Sequence, residues 1–154
     1  MKRFRIAAAM SLVVAVGLSA CAPSNNPADD DGPIKVGVLA DLSGATADVG
    51  SIYNEGMLGY VDWLNNEKGG IDGRELDAMS EDYAYDVPNA ERLYKKYVNE
   101  GVVAVQGWGT GDSEALRSKV TADELPFMSA SYAEELTDPG ETPYNFVVAP
   151  TYSD

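Results

Sequence analysis

The residues best placed to do chemistry fall in two short stretches. Gly107-Trp108-Gly109-Thr110-Gly111 leads into Asp112-Ser113 and a helical pattern. Free backbone N–H groups at such a helix start, with the dipole behind them, favour an anion, and glycines let a carboxylate approach the chain. Thr110 and Ser113 add hydroxyls. Ser129-Ala130-Ser131-Tyr132 offers hydroxyls, a carbonyl and an aromatic face. The glycine loop reads either as a tight turn between strand and helix or as a ligand cradle. It is not a dinucleotide fingerprint, because the place of the third glycine holds Glu114. It is not a phosphate-binding P-loop, because no Gly-Lys-Ser/Thr follows. Trp108 and Tyr132 read as pocket walls or as half-buried cover. Tyr83 and Tyr85 read as surface packing, and Asp41 and Asp82 as caps or hydrogen-bond acceptors rather than paired catalytic acids.

Composition narrows the chemistry. The 154 residues contain no histidine, which removes Ser-His-Asp and Cys-His catalysis and every His-ligated metal site. One cysteine excludes an internal disulfide and a thiolate cluster. The net charge is −14, from 11 basic and 25 acidic side chains. Three of the basic ones, Lys2, Arg3 and Arg5, lie in the first five positions, so eight stand against 25 from residue 21 onward. So acidic a body argues against nucleic acid as a partner. Carboxylate acid/base work or plain binding remains, with no cofactor and no metal expected. The 29–31 aspartate run reads as solvated linker.

The elements that must position these residues alternate. Residues 34–40, IKVGVLA, form a strand pattern, and 41–44 a turn. From about 49 to 67, Ile52, Gly56, Gly59, Tyr60, Trp63 and Leu64 share a 3.6-residue period. That face, with two glycines allowing close approach, is expected against a sheet. Gly69-Gly70 stops the helix. A weaker strand follows at 75–81. Pro88 opens a helix with Ala90, Leu93, Tyr94, Tyr97 and Val98 on one face, ended by Gly101. Residues 102–105, VVAV, read as a strand buried on both faces. Asp112 or Ser113 is expected to cap the next helix, with Ala115, Leu116 and Val120 inward. Short strands follow at 126–128 and 144–148. The alternation predicts an α/β fold, a doubly wound parallel sheet. Its ligand loops would be 41–50, 106–113 and 129–133, at the carboxyl ends of the strands. The chain stops at Thr151-Tyr152-Ser153-Asp154 without a closing helix, and reads as the N-terminal part of a longer protein.

The first 33 residues read differently. Residues 1–20 have a basic start and a 13-residue apolar stretch, 6–18, too short to span a membrane comfortably. Leu18-Ser19-Ala20-Cys21 resembles the bacterial lipobox, which implies a signal peptide over 1–20 and lipidation of Cys21. Residues 21–33, rich in Pro, Asn and Asp, read as a disordered tether, leaving 34–154 as the folded lobe.

Three motifs carry a wider resemblance. Ile34-Lys35-Val36-Gly37 with Leu42-Ser43-Gly44, then Asn65-x-x-x-Gly69-Gly70-Ile71-x-Gly73-Arg74-x-Leu76, then residues 86–90, are similar to the N-terminal lobe of type I periplasmic (solute) binding proteins. More narrowly, they resemble the leucine/isoleucine/valine-binding branch of ABC importers. The resemblance implies two lobes closing on a small solute, no catalysis, ABC permease subunits as partners, and a lipid-anchored position outside the cytoplasmic membrane. It further implies that Thr110, Gly111 and Ser113 meet a ligand carboxylate, and that Ala130 and Tyr132 supply the second contact loop. The sequence departs from the pattern where Tyr132 replaces a small hydroxyl residue and Val49 an aromatic one. Tyr85 and Thr110 stand where some members carry a disulfide. Amino acids, amides, urea and aromatic acids all stay open as solutes. Two other readings remain: a ligand-sensing domain without transport, and an exported hydrolase using Asp41 or Asp82.

Overall fold

The computed structural model describes residues 32–153. The expected signal peptide at 1–20, Cys21 and nearly all of the expected tether lie outside the described residues.

The first strand, β1 (Ile34–Ala40), is followed by α1 (Ala47–Lys68), β2 (Leu76–Asp82) and α2 (Val87–Glu100). Then come β3 (Ala104–Gln106), α3 (Thr110–Ala122), β4 (Phe127–Ser129), a 3-10 turn at Glu134–Leu136 and β5 (Asn145–Val147). The strands form one sheet in the order β2-β1-β3-β4-β5, every pair parallel. The chain first moves one way from β1 to β2 and then the other way from β1 to β5. Right-handed crossovers therefore place α1 on one face and α2 and α3 on the other, the expected doubly wound arrangement.

The core lies under α2 and α3. Leu39, Val105 and Phe127 from three strands meet Ala90, Leu93, Tyr94 and Tyr97 of α2 and Leu116 and Val120 of α3. Gly37 is paired across β1 and β3 with Val105. It has no side chain because Tyr97 fills its place: a Cβ there would lie 2.4 Å from the ring. The Tyr97 hydroxyl donates to Val38 O at 2.7 Å. Asp86 caps α2 by accepting from the Asn89 N–H, and Gly101 closes it in a left-handed conformation.

Two expectations are corrected. The face of α1 with Ile52, Tyr60 and Trp63 does not pack on the sheet: Ile52 is 71% exposed and Tyr60 60%. The buried residues of α1 are Gly50 and Val61. Close approach occurs at Gly50, where a Cβ would meet Asp41 O at 2.3 Å, while Gly56 and Gly59 face open space. The helix is held to the edge strand by polar contacts instead. Asn65 Nδ2 donates to Leu76 O, and Leu76 N donates to Asn65 Oδ1, both at 2.9 Å. Asn54 Oδ1 accepts from Ser80 Oγ at 2.7 Å. The sheet also begins two residues later at β3 than the apolar run suggests. Val103 stays exposed ahead of the ladder, its N–H donating to Lys35 O.

Candidate functional site

A cleft of about 540 Å³ opens at the carboxyl ends of the strands. Every strand feeds it. After β1 come Thr46, Val49 and Tyr53; after β2, Tyr85; after β3, Trp108, Gly109 and Thr110; after β4, Ala130, Ser131 and Tyr132; after β5, Val148, Ala149 and Tyr152. This is where a sheet whose strand order reverses leaves room for a ligand. Among the described residues, no charged side chain lines it.

Its polar groups are few and organised. Thr110 Oγ1 and Ser131 Oγ share a hydrogen bond of 2.9 Å, joining the loops after β3 and β4. Ser131 Oγ also accepts from Ala133 N at 3.1 Å, and Ser129 Oγ accepts from Ser131 N at 3.0 Å, so the second loop is pinned by its own hydroxyls. Thr46 Oγ1 donates to Asp41 Oδ2 at 2.6 Å and accepts from Trp108 Nε1 at 2.8 Å. That leaves Thr46 as a support for the indole.

Below the loop after β3 lies Asp112, only 2% exposed. Its Oδ1 accepts from the Tyr83 hydroxyl at 2.8 Å, and its Oδ2 has no hydrogen-bond partner among the described residues. Burial pushes its carboxyl up to about 6, against the lowering pull of Tyr83 and the nearby backbone N–H groups. Desolvation, reinforced by Asp112, likewise pushes up the phenols of Tyr83 and Tyr85. The expected cap at Asp112 or Ser113 is corrected: Gly109 is the N-cap, and both side chains turn inward within the first turn of α3. Ser113 Oγ donates to Gly109 O at 2.5 Å.

Of the residues singled out from sequence, Thr110, Ala130 and Tyr132 line the cleft together. Gly111 and Ser113 do not. Gly111 is on the exposed side of α3, with Val87 its nearest outside neighbour, and Ser113 is fully buried. Tyr83 is a core residue rather than surface packing: it is buried in the cluster under α2 and α3, and its hydroxyl donates to Asp112. Tyr85 is a cleft wall. Tyr53 and Tyr152 also line the cleft, beyond the residues singled out from sequence. Tyr53 lies one helical turn beyond Val49, which is a legible signal; Tyr152 lies past the last strand, where no pattern marks it.

Asp41 and Asp82 are both committed to the backbone. Asp41 is fully buried and accepts from Gly44 N, Thr46 N and Thr46 Oγ1. Asp82 accepts from Leu42 N, Ser43 Oγ and Ala84 N. Desolvation alone would raise the Asp82 carboxyl, but these donors together hold it below the usual carboxylate range.

Comparison with known proteins places this geometry. The sequence model described as "Periplasmic binding protein" matches residues 33–154. The Leu/Ile/Val-binding protein of Escherichia coli K12 is 35% identical over 126 residues, 80% of this chain and 34% of that one. The crystal structure of an ABC transporter substrate-binding protein from Aeropyrum pernix superposes with a TM-score of 0.71 at 36% identity, covering 79% of this chain and 32% of that one. A branched-chain amino acid transporter substrate-binding protein from Streptococcus pneumoniae, solved in complex with isoleucine, gives 0.71 at 26% identity, over 77% and 34%. The chain spans about a third of the length of the curated relatives it matches.

Proposed function

The chain belongs to the periplasmic binding protein family, and from that premise we propose that it forms the solute-capturing lobe of an ABC importer's substrate-binding protein. The observation that carries this reading is the convergence of all five strand ends on one uncharged cleft with hydroxyls at its centre. The Thr110–Ser131 hydroxyl pair holds one proton between its members and gives the other to a solute carboxylate at the start of α3, and the Ala130 carbonyl is the acceptor for its ammonium group. Tyr132 closes the side. Ser113 acts indirectly, by fixing the turn that presents Thr110. Asp112 does not oppose a carboxylate here, since its side chain is turned to Tyr83.

The rest of the proposal follows from the family. A second lobe supplies the opposite wall, and solute stabilises the closed arrangement by contacting both. The closed form docks on ABC permease subunits. A lipid on Cys21 tethers the protein outside the cytoplasmic membrane. The reading is of binding without catalysis, and the commitment of Asp41 and Asp82 to backbone donors supports it. The solute class is an amino acid or a similarly small polar molecule; the relatives named for leucine, isoleucine and valine support the amino-acid reading.

Calorimetric titration of the full-length protein with each proteinogenic L-amino acid tests this. Saturable one-site binding of at least one is expected. Folded protein that binds none of them would overturn the amino-acid reading.

A further inference from the structure

The walls of the cleft are aromatic. Five rings, from Tyr53, Tyr85, Trp108, Tyr132 and Tyr152, line the same cavity. Two pairs are already in contact: Tyr53 with Trp108, centroids 5.1 Å apart at 47°, and Tyr132 with Tyr152, 5.5 Å apart at 72°. The Trp108 indole is fixed in orientation because its N–H is held by Thr46. Such tilted pairs present both ring faces and ring edges, the two surfaces on which a further ring packs best. The aliphatic share of the lining is small: Val49, Val148 and two alanines.

We infer that this cleft selects a solute with a flat aromatic body and a carboxylate, in preference to a branched aliphatic amino acid. The inference rests on the reading of the cleft as a solute site and names the class of solute. Its polar end is served by the Thr110–Ser131 hydroxyl pair, and its ring by the five aromatic side chains. Aromatic boxes also take quaternary ammonium ions. Here the lining holds, among the described residues, no acid to complete such a cage, and Asp112 stays behind Tyr83.

The test is calorimetric titration of the full-length protein with L-phenylalanine, benzoate, L-leucine and glycine betaine. One of the two aromatic ligands should bind at least about tenfold more tightly than L-leucine, the gain expected from one or two ring contacts. Replacing Tyr132 and Tyr152 together by leucine should shrink that ratio to roughly threefold or less, as the ring contacts are lost. Both side chains stand at the exposed rim, so the fold is kept, as a thermal melt will verify. Leucine binding as tightly as the aromatic ligands, or betaine binding most tightly, would overturn the aromatic selection and leave the solute-binding reading standing. So would binding of a non-aromatic L-amino acid with none of these four. Failure to bind benzoate, betaine or any L-amino acid would sink both.

Discussion

The Trp108 indole N–H donates to Thr46 Oγ1 at 2.8 Å, across 62 positions of sequence. The same hydroxyl gives its own proton to buried Asp41 at 2.6 Å. A strand-end carboxylate thus orients a cleft wall through one threonine. Asp41, which the sequence marks as a cap or hydrogen-bond acceptor, works as a positioning group.

Thr46→Val should break this relay. The indole N–H loses its acceptor and Asp41 loses one of three donors, at a cost of about 1–2 kcal/mol in stability. Thr46→Ser should restore most of it. Chemical denaturation checks the stability, and titration with L-phenylalanine should show weaker binding for valine than for serine. Equal behaviour of the two variants would show that the hydroxyl relay is idle.

Gly37 and Gly56 should respond in opposite directions to the same change. Gly37→Ala forces a methyl group into the Tyr97 ring and should destabilise by roughly 1–3 kcal/mol. Gly56→Ala meets open space in mid-helix and should stabilise by about 0.5–1 kcal/mol. Thermal melts of the two variants decide it. A destabilised Gly56→Ala would mean that the outer face of α1 is covered.

Asp112 gives stability a pH signature. Its carboxyl titrates at about 6 in the folded chain and near 4 when unfolded, so the folded state binds more protons between those values. The contribution is fully present below about pH 4 and lost as pH rises through about 6, amounting to ~3 kcal/mol. Asp112→Asn should remove this slope. Urea midpoints of wild type and variant should diverge across that window and run parallel above it. A constant difference would show that the buried carboxyl does not titrate there.

How much of this was legible in sequence depended on whether one residue's neighbours in the chain are also its neighbours in space. The face of α2 was plain, because Ala90, Leu93, Tyr94 and Tyr97 recur at helical spacing and Asp86, Pro88 and Gly101 punctuate the ends. The face of α1 was not. Its most conspicuous apolar residues point outward, and its contacts to the edge strand run through Asn54 and Asn65. Strand ends marked Thr110, Ala130 and Tyr132 in advance. Tyr85 and Tyr152 join the cleft only through the sheet order, which no local pattern carries. Ser113 looked like a free hydroxyl at a helix start, but its Oγ donates back to Gly109 O, which only the folded turn brings within reach.

The anchoring proposal has its own check. Cys21→Ser should shift the protein from the membrane fraction to the soluble exported fraction. Unchanged membrane retention would remove the lipid anchor from the account.

The central claim is that solute binds at the strand-end cleft. Hydrogen–deuterium exchange of the full-length protein, with and without an excess of mixed L-amino acids, tests it most directly. The account predicts slower exchange in peptides covering residues 108–111 and 130–133, with the outer face of α2 at residues 91–99 unchanged. If neither cleft segment gains protection, or if the change falls on α2 instead, the claim is contradicted.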